Sequence, residues 1–175
     1  MTGGAAEGPG RAAPRRTWRW WVALIFSRLM RTPFAQRFIS PHFAPLQQRL
    51  YRLTRGRFQI SALLAPTIIL HTVGAKSGLA RETPLLTWPE PDGSFLVAGS
   101  NWGKPAHPAW THNLIAHPDV DVVYRRGVVP MRAEQITDTA EREQVWPVLE
   151  AQFPTYRQYE NTAGRQVRIF RLRAR

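Results

Sequence analysis

The sequence contains no cysteine. Disulfides, thiolate zinc sites, iron–sulfur clusters and a cysteine nucleophile are therefore excluded. Acid is scarce at one end: residues 1–57 hold eleven arginines and a single acid, Glu7. The remainder holds thirteen Lys/Arg against eleven acids, so the formal net charge of +12 belongs to an arm rather than to the body. Such an arm meets a polyanion: nucleic acid, an anionic lipid surface or an acidic ligand. Lysine is nearly missing too, with Lys76 and Lys104 the two present. A long apolar run is also lacking. The arm's uninterrupted stretch is Trp20–Phe26, far below the ~20 residues of a spanning helix. Arg28 and Arg31 break the apolar pattern beyond it, and no A-x-A-like cleavage site marks an export signal. Neither a Ser/His/Asp grouping, nor a paired-carboxylate arrangement, nor a dinucleotide glycine fingerprint occurs. Any enzymatic chemistry must therefore come from a bound cofactor.

What remains is a chain of 175 residues, 43% hydrophobic, sized for one domain and one core. Fifteen prolines argue against a pure helical bundle. Residues 1–14, rich in Gly, Ala and Pro, read as a disordered tail, residues 15–56 as a basic helical arm and residues 57–175 as the folded domain. In the arm, Trp18, Trp21, Val22, Ile25 and Leu29 share one helical face, with Arg16, Ser27 and Arg31 nearly opposite. Two readings stand for this face: a helix lying in a lipid interface, or one packed on its own domain or a second subunit. Ser40-Pro41 reads as a cap and first-turn proline opening a second helix, ended by Gly56.

From Thr67 the pattern becomes extended. Thr67–Val73, Arg81–Trp88, Ser94–Ser100, Val120–Tyr124, Val128–Glu134 and Val167–Leu172 read as strands, and Ala109–Ala116 as a short helix. Val120–Tyr124 and Val128–Glu134 make a hairpin around Arg125-Arg126-Gly127. Thr137 or Asp138 caps a helix running to about Gln152, and Pro154–Asn161 forms another. Six antiparallel strands with late helices predict a small barrel with α+β decoration.

Three segments carry candidate chemistry. In His71–Leu85 a strand gives way to a Gly-bracketed turn, Gly74-Ala75-Lys76-Ser77-Gly78, that offers amides, an ammonium and a hydroxyl, with the Arg81 guanidinium beginning the next strand, and these suit a phosphate or polycarboxylate. The alternative is an ordinary hairpin with a solvated lysine. Gly99–Leu114 brings small residues at a strand end, where a planar ligand can approach the backbone, followed by Trp110 and Asn113. His107 and His112 are five apart with no carboxylate between them, which matches no usual zinc spacing, so surface or capping roles are expected and no metal is. In the third segment Phe153, Tyr156 and Tyr159 recur every three residues, as a core stripe or as an aromatic wall with phenolic protons to donate.

In this order and spacing, Gly74–Arg81, Gly99–Gly103, His107–Leu114 and Phe153–Tyr159 resemble the motifs of the deazaflavin-dependent nitroreductase family, which includes reduced-coenzyme-F420-dependent quinone reductases. The resemblance covers about Leu53 to Leu172. It implies a six-stranded split β-barrel, similar to the FMN-binding split barrels, holding coenzyme F420. Ala75, Lys76 and Ser77 would hold the phosphodiester, and Arg81, Glu82, Thr83, Pro84, Leu85 and Leu86 would run along the cofactor. Ala98, Gly99, Ser100 and Asn101 would border the deazaflavin ring, as would Ala109, Trp110, Thr111, His112 and Asn113. Ser100, Tyr156 and Tyr159 would be the catalytic groups facing the substrate, with Tyr156 also near the cofactor. Hydride would pass from the reduced cofactor to a quinone or nitro-activated acceptor.

Ala75 departs from the family's usual Arg, Asn101 and Trp102 stand where Lys and Gly are common, and Phe153 replaces a Tyr. The partners implied are the small-molecule acceptor, an anionic membrane touched by residues 15–31 from the cytoplasmic side, and a second copy of the chain. An FMN-binding or non-catalytic split barrel is one alternative. A nucleic-acid-binding module is another, disfavoured because the basic excess lies outside the barrel region and no RNP, zinc or helix-turn-helix signature accompanies it.

Overall fold

The computed structural model describes residues 66–125, 127–152 and 156–175, with scattered positions between Trp21 and Leu53. The expected tail, the Ser40-Pro41 cap, the Gly56 stop, Trp18 and Phe153 lie outside the described residues. Of the predicted arm face, Trp21, Val22, Ile25 and Leu29 are helical and 40–66% exposed.

Seven strands form one antiparallel sheet: β1 (Thr67–Val73), β2 (Ala80–Leu86), β3 (Trp88–Pro89), β4 (Phe95–Gly99), β5 (Asp119–Tyr124), β6 (Gly127–Gln135) and β7 (Arg168–Ala174). Their order is β2-β1-β5-β6-β7-β4-β3. β2 stands at one end of the sheet and β3 at the other, yet Thr87 alone separates them in sequence. The sheet therefore has to curl until its ends meet, which is what makes it a split barrel. Thr87 is buried at that junction, its hydroxyl donating to the Leu96 carbonyl (3.0 Å) and its amide to that of Pro66 (2.9 Å).

This junction corrects the strand count. The single strand expected over Arg81–Trp88 is two, because the chain changes partners at Thr87, from β1 to β4. Periodicity reports extension but not partner.

Alternation along the strands sends side chains to two cores. Ile68 and Leu70 of β1, Phe95 and Val97 of β4, Val120 and Val122 of β5 and Phe170 and Leu172 of β7 fill the first core. Helix α1 (Ala109–Ala116) adds Trp110 and Leu114, one turn apart. Leu96 of β4 and Ile169 of β7 point the other way, where α2 (Thr139–Gln152) contributes Val145, Trp146 and Leu149 and α3 (Tyr156–Ala163) contributes Tyr156 and Tyr159. Asp138, not Thr137, caps α2: its Oδ1 accepts the Glu141 amide hydrogen at 2.8 Å. Arg171, largely buried on β7, pairs with Glu90 (2.7 Å) and with Glu141, fixing α2 and the β3–β4 turn to the sheet.

Candidate functional site

The hairpin joining β1 to β2 closes with two backbone bonds, Gly74 N–H to Leu79 O and Gly78 N–H to Gly74 O, both 2.8 Å. Within it the Ala75 amide donates to Asn113 Oδ1 at 2.9 Å. The Lys76 and Ser77 amides have no hydrogen-bond partner among the described residues, and the side chains of Lys76, Ser77 and Arg81 are exposed. The turn thus carries two open amides, an exposed ammonium and a hydroxyl that accepts the Leu79 amide hydrogen at 3.4 Å, and the guanidinium of Arg81 follows in β2. That is a donor set for an anion. Ala75 contributes its place in the turn rather than a donor. Among the described residues β2 is an edge strand, paired with β1 and with no other strand. Its outer backbone edge, carrying Arg81, Glu82, Thr83, Pro84, Leu85 and Leu86, borders the gap in the barrel near β4. Leu85 leans on the first core and Leu86 on the second.

Across that gap β4 ends at Ala98 and Gly99. A Cβ on Gly99 would lie 2.6 Å from Thr111 Cγ2, so glycine is required for α1 to sit this close. Ser100 is half-buried, and its carbonyl accepts the Gly103 amide hydrogen at 3.0 Å. Asn101, Trp102 and Gly103 then form a 3-10 turn in left-handed backbone, with φ of 49°, 57° and 74°. The Asn101 amide group bridges this turn to the Ala106 carbonyl (2.8 Å).

Helix α1 connects the two motifs. Thr111 meets Gly99, while Asn113 binds Ala75 with Oδ1 and donates through Nδ2 to Thr72 Oγ1 at 3.1 Å. Two residues along a helix advance about 3 Å, so the Gly74–Gly78 turn and the strand end stand on either side of the same helical turn. The other α1 candidates have distinct surroundings. Ala109 is exposed at the helix start. Trp110 is 7% exposed and packs on Phe170 inside the barrel, 5.9 Å between ring centres. The Thr111 hydroxyl donates to the Pro108 carbonyl and accepts from Arg168. His112 is exposed beside Arg168, 3.3 Å from Nδ1 to the guanidinium.

His107 and His112 do approach each other, at 6.1 Å between ring centres, but Arg165 and Arg168 flank them. Two guanidiniums repel a metal cation, and His107 Nδ1 is occupied by Arg165 at 3.1 Å. Burial pushes the His107 pKa below its usual value, and the charges of Arg165, Arg168 and His112 add to the shift.

Tyr156 and Tyr159 are 6% and 1% exposed, with ring centres 6.4 Å apart in the second core. Burial, with Tyr159 adding to it, holds the Tyr156 phenol protonated well above its ordinary range. The core-stripe reading therefore describes their packing. The pair also adjoins the Asn101–Gly103 turn: Trp102 packs against the same cluster, and a Cβ on Gly103 would lie 2.9 Å from Tyr159 Cδ1.

Three residues in this arrangement were missed by sequence reasoning: Thr72, Arg165 and Arg168. Nothing in the sequence separates Arg165 and Arg168 from twenty other arginines. Thr72 reads as one more β-branched strand residue.

The donors of the Gly74–Gly78 turn are of the kind that bind an anion. Residues 45–173 match the family model described as F420H(2)-dependent quinone reductase. Two F420H(2)-dependent quinone reductases of Mycobacterium tuberculosis, from strains CDC 1551 and H37Rv, are each 36% identical over 88 residues. That match spans 50% of this chain and 58% of each relative's length. Among solved structures, an F420-H2-dependent reductase (FDR-A) is 32% identical with a TM-score of 0.54, covering 61% of this chain and 93% of its own. A domain-swapped dimer is 29% identical with a TM-score of 0.56, covering 73% and 96%. With the family model spanning both flanks of the barrel gap and the helix between them, the chain belongs to the F420H(2)-dependent quinone reductase family.

Proposed function

We propose that this protein binds reduced coenzyme F420 across the barrel gap and catalyses hydride transfer from it to a quinone. The observation that carries this reading is the seating of α1, with Asn113 fastened to the Ala75 turn and Thr111 seated on Gly99. It gives one cleft an anion-binding end and a backbone-lined end. Lys76, Ser77 and their amides would hold the phosphodiester. The edge of β2 and the glycine-lined end of β4 would take the tricyclic ring, whose bound reduced form supplies the hydride. Ser100 and the turn after it would border the acceptor. The Ser100 hydroxyl would stabilise charge developing on an acceptor oxygen by hydrogen bonding, with Tyr156 and Tyr159 packed behind the turn that follows it. The protein's part is placement and charge complementarity.

A quinone is favoured over a nitro-activated acceptor because both the family model and the curated relatives carry quinone reductase in their descriptions. Absorbance titration of purified protein with F420, followed by addition of a menaquinone analogue to the reduced complex, tests the proposal. Saturable binding and loss of the reduced form are expected. Neither happening would remove it. A yellow, FMN-loaded protein as isolated would replace F420 with flavin.

The arm is proposed to lie on an anionic membrane from the cytoplasmic side. Trp21, Val22, Ile25 and Leu29 present large apolar side chains at 40–66% exposure beside a strongly basic sequence. No helix among the described residues is long and apolar enough to cross a membrane. Removing residues 1–32 is expected to abolish sedimentation with anionic liposomes and to leave reduction of a water-soluble quinone intact. Unchanged sedimentation would refute the arm as the membrane contact.

A further inference from the structure

The Asn101–Gly103 turn poses a physical problem. Asn101 and Trp102 both occupy left-handed backbone, which L residues other than glycine enter at a cost. Something has to hold the turn in place. The described residues supply it from the far end of the chain, in the loop between α3 and β7.

The Arg165 guanidinium lies inside the loop that the turn begins. Its Nη2 donates to the carbonyls of Ser100 (3.2 Å), Lys104 (3.1 Å) and Ala106 (3.1 Å). Its Nε donates to Lys104 again (3.3 Å), and its Nη1 to His107 Nδ1 (3.1 Å). Longer contacts reach the Gly99 carbonyl at 3.5 Å. These bonds go to backbone oxygens and a ring nitrogen, not to a carboxylate. A planar fork of donors spanning four separate carbonyls is something guanidinium geometry does and an ammonium cannot. The loop so fastened begins at Ser100 and carries Trp102, and its Gly103 closes on Tyr159. Ser100 and Trp102 therefore stand on a segment that Arg165 holds, and Tyr159 lies against it.

We propose that Arg165 is the positioning residue of the acceptor side: by bridging the carbonyls of Gly99 to Ala106 it keeps the left-handed turn seated on Tyr159 and so fixes Ser100 and Trp102. The role in acceptor placement rests on the reading of this cleft as the F420 and quinone site. The holding of the turn does not, and the two are tested separately.

Arg165→Gln and Arg165→Lys are to be examined in the full-length protein by amide hydrogen exchange without cofactor, then by F420 titration and steady-state quinone reduction. In both variants, exchange over residues 100–107 is expected to rise at least tenfold while β1 and β5 keep their protection. The kcat/KM for the quinone is expected to fall at least tenfold and F420 affinity to fall by less, because Arg165 holds Gly99 and Ser100 beside the ring while the Lys76 turn is anchored by Asn113. Unchanged exchange at 100–107, or a uniform rise across the whole barrel, would overturn the proposal whatever the cofactor proves to be. Local loosening with unaltered kcat/KM would overturn the positioning role. If the wild type neither binds F420 nor reduces quinone, the functional reading fails instead, and the exchange data still judge the turn. Should Arg165→Gln not fold, Arg165→Lys decides: it keeps the charge but offers one nitrogen, and full protection of the loop in it would refute the bridging argument.

Discussion

Asn113 accepts the amide hydrogen of Ala75 at 2.9 Å, and through the other end of the same carboxamide it donates to Thr72. One buried side chain of α1 thus fixes both the penultimate residue of β1 and a residue of the turn that follows it. Asn113→Ala is expected to leave the Ala75 donor and the Thr72 hydroxyl without this partner, at a cost of about 1–3 kcal/mol. Urea denaturation should show a lower midpoint, and F420 titration a weaker Kd, although Asn113 need not touch the cofactor. Unaltered F420 affinity in a destabilised protein would mean that the turn holds its shape without α1.

Lys76 carries the ammonium at that turn. Lys76→Ala is expected to weaken F420 binding about tenfold, the loss of one charge-assisted hydrogen bond of roughly 1.5 kcal/mol at an exposed site. Stability should be unchanged, since the side chain is exposed. The effect should shrink as salt is added, which a titration series in sodium chloride would show.

Gly99 and Thr111 form the second contact of α1. Gly99→Ala would put a methyl 2.6 Å from Thr111 Cγ2 and 3.4 Å from Pro108 Cγ. Overpacking of this kind costs about 1–3 kcal/mol. The double variant Gly99→Ala/Thr111→Ser removes the obstructing methyl and keeps the hydroxyl that bonds Pro108 and Arg168. Its thermal midpoint should recover much of the loss. No recovery would place the strain elsewhere.

His107 supplies a pH dependence. The folded protein disfavours its protonated form, first through burial and then through the charges of Arg165, Arg168 and His112, so its folded pKa lies below the ordinary 6.5. Between those two values the unfolded chain binds more protons than the folded one. Stability from this residue is therefore complete above pH 6.5 and is lost as pH falls through the folded value. His107→Asn, whose amide oxygen can accept from Arg165 without titrating, should flatten the acid limb of the stability–pH curve. An identical limb in both proteins would assign it to other groups.

Several parts of this molecule were legible residue by residue. The β-branched run from Thr67, the helix from Ala109 and the hairpin around Arg125 follow from local pattern, because side-chain period and turn chemistry act over a few residues. The Gly74–Arg81 turn announced itself by its donors. Thr87 did not announce that one extended run would serve two ends of a sheet, since partner choice depends on curvature that no short window contains. Nor could Trp110 be told apart as a barrel-core residue: an indole suits a ligand wall and a core equally, and burial decided it.

The sequence by itself determined that redox chemistry would need a borrowed cofactor, that the basic excess falls within residues 1–57, and which stretches from Thr67 onward are extended or helical. These depend on composition and near neighbours. The tertiary structure alone decided that Asn113 would anchor Ala75, thirty-eight residues away, and that Arg165 would gather the carbonyls of a loop about sixty residues earlier. Hydrogen-bond donors of the same type recur all along the chain, and which of them meets which acceptor is set only when the sheet closes and brings distant backbone within about 3 Å.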